Sequence, residues 1–135
     1  MSREKGQRYE ALVEDYLVSQ GYTILDRNWH AGVYGELDLI CQKDKTIVFV
    51  EVKGRSSNQA LEDGLNSINP AKARKLLYSM QAYLDYLEKK KRLFSPKTRF
   101  DLIVLIEWPD KTHQIEHVEN ICLWDFLDNS GYSRT

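Results

Sequence analysis

Two runs of β-forming residues, 35–42 and 46–53, flank the polar triplet Lys43, Asp44 and Lys45. Successive side chains of a strand point to opposite faces of a sheet, so runs of this kind suit strands that bury part of their surface. The triplet is short enough for a tight turn, although it lacks the Asn-Gly or Asp-Gly pair that most favours one. The sequence therefore predicts an antiparallel hairpin, around which the rest of the fold must be built.

Helical and strand patterns extend over the rest of the chain. Apolar residues recur at helical spacing from about residue 4 to 19, and again after Asn69 and Pro70, which are typical of an N-cap and a first helical position. Further strands are predicted at 23–29, 100–107 and 114–118. Loops are predicted at 31–35 and 54–69, and the second of these is expected to be long and mobile. A short helix or turn is predicted at 121–127. The order α-β-β-β-α-β-β predicts an α/β (α+β-like) fold with a central mixed sheet flanked by helices.

Length and composition favour one globular domain. The 135 residues, 42% of them hydrophobic, are enough for a single core over residues 1–135. No apolar run is long enough to cross a bilayer, and the charged segment from Met1 to Arg8 does not resemble a secretory signal, so we expect a cytoplasmic protein without a membrane partner. Cys41 and Cys122 have no zinc-type spacing, and we expect reduced, mostly buried thiols. The net charge of −1 argues against a surface that binds nucleic acid everywhere, but it permits a basic patch beside an acidic centre.

Acidic residues in the two hairpin strands are predicted to meet. A turn at Asp44 and Lys45 would set Asp38 opposite Glu51, and Glu36 opposite Lys53. Like charges in such positions destabilise a sheet unless they share a proton, pair with a cation or bind a metal. Lys53 supplies one positive charge, and Mg²⁺ prefers one or two carboxylates together with phosphate and water. Strand alternation assigns one face to Glu36, Asp38 and Ile40 and the other to Leu37, Leu39 and Cys41.

This combination of residues suits phosphodiester hydrolysis. Asp38 and Glu51 would be metal ligands, and the metal would polarise the phosphate and lower the pKa of a bound water. Lys53 would orient that water or balance charge that develops on the phosphorus. A structural salt-bridge network among the same three residues is the alternative interpretation.

The spacing resembles that of the PD-(D/E)xK nuclease superfamily. The match consists of Asp38, a short hairpin, and then Glu51, Val52 and Lys53, with Leu37 in place of the proline that often precedes the aspartate. A wider pattern comprises Gly6, Glu10, Asn28, residues 35–40 and 48–53, Arg55, Lys72 and residues 99–101. This pattern resembles the YraN-like family, which lies near the archaeal Holliday-junction resolvases within that superfamily. His30 stands where many members of the family carry a basic residue.

The resemblance implies a restriction-endonuclease-like fold and an endonuclease that depends on Mg²⁺ (or Mn²⁺), with branched DNA among its candidate substrates. It implies a role for Glu10 as an additional metal ligand, although a solvated helix carboxylate is the alternative. It also implies that a further group of residues surrounds the centre or contacts substrate, namely Glu36, Arg55, Lys72 and Asp101. Support of the sheet edge is the alternative for Asp101. Because junction resolvases act as dimers, a homodimer is left open.

Two other functions remain open at the level of the sequence. One is a nucleic-acid-binding module that keeps the nuclease fold without cutting, and the other is an accessory protein of DNA repair or uptake. Several residues have a functional and a structural interpretation. Arg74 and Lys75 could contact phosphates together with Arg55 and Lys72, or form a solvated basic face. Trp29 and Tyr34 could stack on bases or simply pack. His113 and His117 share a predicted strand face with Glu119, but a zinc site would need a third ligand in place.

Overall fold

The computed structural model describes residues 3–56, 60–90 and 96–127. Within these ranges the chain forms three α-helices and five β-strands. In chain order they are α1 (Arg3–Ser19), β1 (Thr23–His30), β2 (Glu36–Lys43), β3 (Thr46–Arg55), α2 (Ala60–Asn66), α3 (Pro70–Lys89), β4 (Lys97–Glu107) and β5 (His113–Val118). Single-turn 3₁₀ helices occupy Gly32–Tyr34 and Leu123–Phe126. No helix in these ranges is long and apolar enough to span a membrane.

The five strands form one mixed sheet in the spatial order β1-β2-β3-β4-β5. All neighbouring strands are antiparallel except β3 and β4, which are parallel. A parallel pair needs a long crossover, and the helices α2 and α3 provide it. This mixed sheet with flanking helices confirms the predicted α/β class and matches a restriction-endonuclease-like fold.

Each face of the sheet carries its own apolar core. The helix α1 covers the face that holds Leu39, Val48 and Val50, whereas α3 covers the face that holds Ile47 and Phe49. Burial of a helix stripe against each face accounts for most of the stability of such an arrangement. The α1 stripe consists of Tyr9, Val13 and Leu17, and the α3 stripe includes Ala73, Leu76, Tyr83 and Leu87.

The predicted element order lacks α2. The segment 54–69, expected to be a mobile loop, instead contains the end of β3 and the helix Ala60–Asn66; residues 57–59 of that expected loop lie outside the described ranges. A glycine in the interior of a helix of only seven residues lowers its intrinsic helix propensity, which is why the segment resembles a loop in the sequence. The helix packs through Gly64 against β4, where an added Cβ would lie 2.8 Å from Val104 Cγ2. Close packing against the sheet therefore outweighs the weak local preference.

The hairpin has the predicted register, because Leu39 pairs with Val50 as expected for a turn at Asp44 and Lys45. The described ladder ends there, however, so the expected direct pairs Asp38–Glu51 and Glu36–Lys53 are wrong. The assignment of faces also fails at one position, since Leu37 belongs to the core of Ile40 and not to that of Leu39 and Cys41.

The break in alternation has a local cause. In β1, Asn28 has a positive φ of 48° and lies between Arg27, which pairs with Leu39, and Trp29, which pairs with Leu37. Positive φ interrupts the pleat, and asparagine tolerates it better than most residues. Both strands therefore change face at Asn28 and Asp38, and β2 separates from β3 at Asp38.

The helix N-cap and one of the two cysteines agree with expectation. The Asn69 side chain accepts a hydrogen bond from the Lys72 backbone N–H at 2.8 Å, which confirms the predicted cap of α3. Both cysteines are free; Cys41 is buried, whereas Cys122 is exposed, contrary to the expectation that both are mostly buried.

Candidate metal centre

The candidate centre lies near the carboxyl end of β3, next to the point where β2 separates from it. Glu51 and Lys53 follow the buried residue Phe49 on β3, and Asp38 lies at the point of separation on β2. Ligand sites of α/β sheets form at the carboxyl ends of strands, where loops and helix termini leave space beside the sheet. The β3–β4 pair and its helical crossover provide such an end here.

Glu51 is the most buried charged residue of the group, with 4% of its surface exposed. Its side chain lies on the face of β3 that α3 covers. Two lysines approach it, one from β3 and one from α3. Lys72 Nζ on α3 lies 3.5 Å from Glu51 Oε2, and Lys53 Nζ lies 3.9 Å from Glu51 Oε1. Even so, Glu51 Oε2 is buried without a hydrogen-bond donor from the described residues. A buried carboxylate oxygen in that state is rare and costs free energy.

The environment of Glu51 favours its protonated form. Burial is the largest cause, followed by the negative charge of Asp38, and together with a hydrogen-bonding contact between the two carboxyl groups they raise the pKa of Glu51 to about 7. The charges of Lys72 and Lys53 oppose this increase. Two carboxyl groups in contact cannot both ionise cheaply unless a cation compensates them.

Asp38 is fixed by the backbone of the neighbouring strand. Its Oδ2 accepts a hydrogen bond from the Val52 backbone N–H at 2.9 Å, in place of the ladder bond that would otherwise continue the β2–β3 pairing. The carboxyl group is thereby held beside Glu51 across the gap between the strands. The sequence correctly brings Asp38 and Glu51 together, but side-chain capping of β3 replaces the predicted cross-strand pair.

Glu10 approaches the same place from α1. Burial raises the pKa of its half-buried carboxyl group, and the charges of Asp38, Glu36 and Glu14 add to the increase. A hydrogen bond with the Asn28 side chain acts in the opposite direction. Glu10 and Asp38 therefore interact electrostatically, with Asn28 holding Glu10 at the side of the group.

Comparisons with known proteins agree with the sequence pattern. The model of a family described as "Uncharacterised protein family UPF0102" matches residues 9–105. The chain belongs to the UPF0102 family. It is 38% identical over 120 residues to a UPF0102 protein of Dichelobacter nodosus, a match that covers 89% of this chain and 90% of that protein. It is 41% identical over 121 residues to a UPF0102 protein of Syntrophomonas wolfei, covering 89% of this chain and 98% of that one. The expected YraN-like membership is confirmed.

The segment matched by the UPF0102 family contains every residue predicted for the centre, but the structure does not bring all of them together. Lys72 contacts Glu51 directly. Arg55, at the end of β3, donates a hydrogen bond to the Gly54 carbonyl at 2.8 Å. Glu36 is exposed, with Oε1 4.0 Å from His30 Nε2, and it acts on the group through Glu10. Of these three residues, Lys72 is the one with a direct contact to the acidic pair.

Asp101 lies apart, on the α1 face of the sheet. It pairs with Val50, which belongs to the α1 core, and it is fully buried. Burial alone would raise its pKa, but hydrogen bonds from His117 and Arg99 outweigh that effect and hold the pKa below the usual range. Arg99 reaches both Asp101 oxygens, at 2.9 and 2.8 Å, and the Asn120 backbone N–H donates at 3.0 Å. Asp101 thus belongs to a separate ion-pair network that joins β4 to the segment after β5.

That network also settles what the histidines contact. His117 bonds Asp101 at 2.7 Å, and Glu119 completes a group of three side chains whose ligand atoms lie within 4.8 Å of one another. The Arg99 guanidinium donates to both oxygens of the Asp101 carboxylate, so Asp101 is already paired within this group. His113 is elsewhere, 3.2 Å from Glu107 Oε2.

The donor set of the candidate centre suits a hard divalent cation. Glu10, Asp38 and Glu51 do not form a three-ligand group as compact as the one around Asp101. Mg²⁺ does not require one, since it commonly binds through one or two carboxylates and keeps waters or phosphate oxygens as its other ligands. Glu51 Oε2, which has an ion pair with Lys72 but no hydrogen bond, fits that demand beside Asp38, and Glu10 is close enough to interact with Asp38 electrostatically.

Asn28 is the residue of this region whose position the sequence pattern did not predict. The sequence marks this position only by placing an asparagine inside a predicted strand, where that residue type is disfavoured. Such a residue marks a break in the pleat, and here the break also brings the amide to Glu10.

Proposed function

We propose that this protein is a metal-dependent endonuclease that hydrolyses phosphodiester bonds of nucleic acid. The observation that supports this most directly is Glu51, a buried carboxylate that is in contact with Asp38, is flanked by two lysines and has one oxygen without a hydrogen bond. A purely structural ion pair has no need of the second carboxylate, which raises the cost of burying the first. A divalent cation would offset that cost.

The roles follow from charge and position. Asp38 and Glu51 would hold Mg²⁺ or Mn²⁺, with Glu10 as a further ligand or as a hydrogen-bond acceptor for a water. When bound, such a cation supplies Lewis-acid polarisation of the phosphate and eases deprotonation of the attacking water. Lys53, with about a quarter of its side chain exposed at 3.9 Å from Glu51, is placed to orient that water or to stabilise charge on the phosphoryl oxygens.

Lys72 is the residue proposed to contact the substrate. Its ammonium group contacts Glu51 and is about one-third exposed, so a phosphate that approaches the centre would meet it. Arg55 and Lys75 add positive charge at the end of β3 and on the next turn of α3. DNA is the proposed partner, and the resemblance to junction resolvases favours branched forms. A DNA substrate also fits the expected cytoplasmic location.

A cleavage screen tests the proposal. The protein is incubated with linear, flapped, junction and single-stranded DNA and with RNA, each in Mg²⁺, Mn²⁺ or EDTA. Asp38→Asn is the matched control, because it preserves the size of the side chain and the hydrogen-bond acceptor for the Val52 N–H. Cleavage by the parent that requires metal and is lost in Asp38→Asn supports the proposal. Absence of cleavage on every substrate, together with an unchanged melting temperature on metal addition, contradicts it.

One observation favours a second function. Lys53 and Lys72 already give Glu51 two positive neighbours, which is enough to neutralise the two carboxylates without metal. A non-catalytic nucleic-acid-binding or repair and uptake accessory module would keep this arrangement. Such a protein would bind DNA equally well in EDTA and Mg²⁺, and Asp38→Asn would not weaken binding.

A further inference from the structure

An aromatic pair is exposed beside the candidate centre. The rings of Tyr34 and Tyr78 lie 4.1 Å apart, centroid to centroid, at 34° to one another, and each residue is about half exposed. Val33, at the tip of the 3₁₀ turn Gly32–Tyr34, is 92% exposed. Trp29 differs, since its ring packs edge-on against Tyr83 at 5.1 Å beneath α3. Of the two residues expected to stack on bases or to pack, Trp29 packs in the core, whereas Tyr34 packs on Tyr78 at the surface and stays half exposed.

The pair is connected to the centre through both of the elements that carry it. On α3, Lys72, Lys75 and Tyr78 follow at intervals of three residues, so each is a neighbour of the next and the row winds around about one third of the helix. Lys72 contacts Glu51, and Lys75 borders the turn, because an added Cβ on Gly35 would lie 3.8 Å from Lys75 Cβ. Tyr34 immediately precedes the strand that carries Asp38.

The spacing matches a nucleic-acid strand. Six helical residues correspond to about 9 Å along α3 between Lys72 and Tyr78. Stacked nucleotides rise by about 3.4 Å each, so this length covers roughly two to three nucleotides. A strand with one phosphate at Glu51 would therefore pass Lys75 and reach the aromatic pair within that number of steps.

We propose that Tyr34 and Tyr78, with Val33 as an apolar wedge, form a stacking surface for an unpaired base two or three nucleotides from the phosphate at the candidate centre. A base inside a duplex has both faces covered by its neighbours, so only an unpaired or terminal base can stack on a protein ring. Aromatic stacking accepts any base, and apolar wedges stabilise unstacked steps. The substrate class is then DNA with a single-stranded arm or unpaired nucleotide beside the cleavage point, an inference that rests on the proposed nuclease function.

The test is a binding measurement that needs no cleavage. In EDTA, the protein is mixed with a duplex that ends in a single-stranded arm, with a fluorescent adenine analogue placed either in the arm near the duplex or within the duplex. The parent is expected to quench the arm analogue and to leave the paired one unchanged. The double variant Tyr34→Leu/Tyr78→Leu is expected to lose the quenching and to bind the armed DNA at least ~10-fold more weakly.

Two control variants separate stacking from general effects. Tyr34→Phe/Tyr78→Phe keeps both rings and is expected to quench like the parent. Trp124→Leu removes a 60%-exposed aromatic residue outside this surface and is expected to change neither quenching nor affinity. Melting temperatures of all variants establish that each one is folded.

The outcomes distinguish this inference from the proposed function. If the leucine variant binds and quenches like the parent, or if both analogues are quenched equally, the stacking inference is wrong, while metal-dependent cleavage by the parent would leave the nuclease proposal intact. A change of sedimenting mass without a change in DNA binding would show that the pair joins two copies of the chain, and would also overturn it. If the parent binds no DNA and cleaves none with Mg²⁺, both proposals fail.

Discussion

Glu51 carries the largest electrostatic cost in the candidate centre, and Asp38 is responsible for part of it. The Asp38 carboxylate does two separable things: it accepts a hydrogen bond from the Val52 N–H, and it places a second negative charge beside Glu51. The first contribution stabilises the fold, because an unpaired backbone donor is costly. The second destabilises it until a cation binds. An amide keeps the first contribution and removes the second.

Asp38→Asn is therefore expected to stabilise the metal-free protein, by roughly 1 kcal/mol, and to abolish the increase in melting temperature produced by Mg²⁺ or Mn²⁺. Asp38→Ala also removes the charge but leaves Val52 N–H without its acceptor, so it should be less stable than Asp38→Asn. Urea unfolding in EDTA and melting curves with and without metal measure both effects. A metal response in Asp38→Asn equal to that of the parent would exclude Asp38 as a ligand.

Lys53 and Lys72 should differ in what they do for Glu51. From the sequence alone Lys53 was the only fixed positive partner, but Lys72 is the nearer one, at 3.5 Å against 3.9 Å. We expect Lys72→Met to raise the pKa of Glu51 more than Lys53→Met does. Lys53→Met should lower the cleavage rate at least tenfold while metal affinity stays nearly constant, as for a group that acts mainly in the transition state. NMR titration of the Glu51 carboxyl and calorimetric metal binding test the pair of variants.

Asn28 combines a backbone and a side-chain role that two substitutions can separate. Asn28→Gly removes the steric cost of φ 48° but also the hydrogen bond to Glu10, whereas Asn28→Ala loses the bond and keeps the strain. We expect Asn28→Ala to lose roughly 1–2 kcal/mol of stability and Asn28→Gly distinctly less. Both should weaken metal binding to a similar degree if Asn28 positions Glu10. Equal stability of the two variants would mean that the backbone conformation is not strained.

At the scale of elements, α2 depends on the absence of a side chain at Gly64. An alanine there improves helix propensity by up to about 1 kcal/mol, yet its Cβ would lie 2.8 Å from the branched Val104 side chain in β4. We expect the clash to dominate, so that Gly64→Ala loses roughly 1–3 kcal/mol. The double variant Gly64→Ala/Val104→Ala should show a smaller loss than the sum of its single substitutions. A stabilised Gly64→Ala protein would show that α2 does not pack closely on β4.

The elements that could be predicted are those whose signals are local. Alternation and a short polar turn determine the hairpin and its register, and Asn69 with Pro70 determines the start of α3. The helix α2 was missed because its stability comes from contact with β4 and not from its own residues. Local signals therefore predicted the five strands, the hairpin and the two long helices, but neither the order of the strands in the sheet nor the helix α2 in the crossover.

The candidate centre was predictable to the extent that it depends on the hairpin. Asp38, Glu51 and Lys53 follow from the strand pattern, and their proximity survives even though β2 leaves the ladder at Asp38. The contact of Lys72 with Glu51 depends on how α3 docks on the sheet, and the alternation break depends on a positive φ at Asn28. Neither the docking of α3 nor the positive φ produces a periodic pattern in the sequence. For Asp101 the sequence left open support of the sheet edge or a place around the centre, and only the three-dimensional arrangement shows that it lies on the other face, in the network of Arg99 and His117.

Over the whole molecule, the near-zero net charge conceals an uneven distribution. Four acidic groups (Glu10, Glu36, Asp38 and Glu51) gather around one end of the β2–β3 hairpin, and the lysines that oppose them stand on β3 and α3. Two of these groups, Glu10 and Glu51, have pKa values raised first by burial and then by Asp38. The stability of the metal-free molecule should therefore depend on pH through this end of the sheet.

Glu51 determines the direction of that dependence. Its pKa is about 7 in the folded protein and near 4.5 when unperturbed, so between these values the folded state binds more protons than the unfolded state. The free energy of unfolding consequently falls as the pH rises through this window, and the stabilising effect of the bound proton is complete only below it. In EDTA, the free energy of unfolding of the parent is expected to fall by roughly 1–3 kcal/mol relative to Glu51→Gln between about pH 5 and pH 8.

Metal binding requires the ionised group, so the increase in melting temperature on adding Mg²⁺ should grow over the same range and be absent in Glu51→Gln. Urea unfolding of both proteins across the pH series measures the difference, and parallel curves for the two would show that Glu51 is already ionised at low pH and that its burial is compensated by the lysines alone.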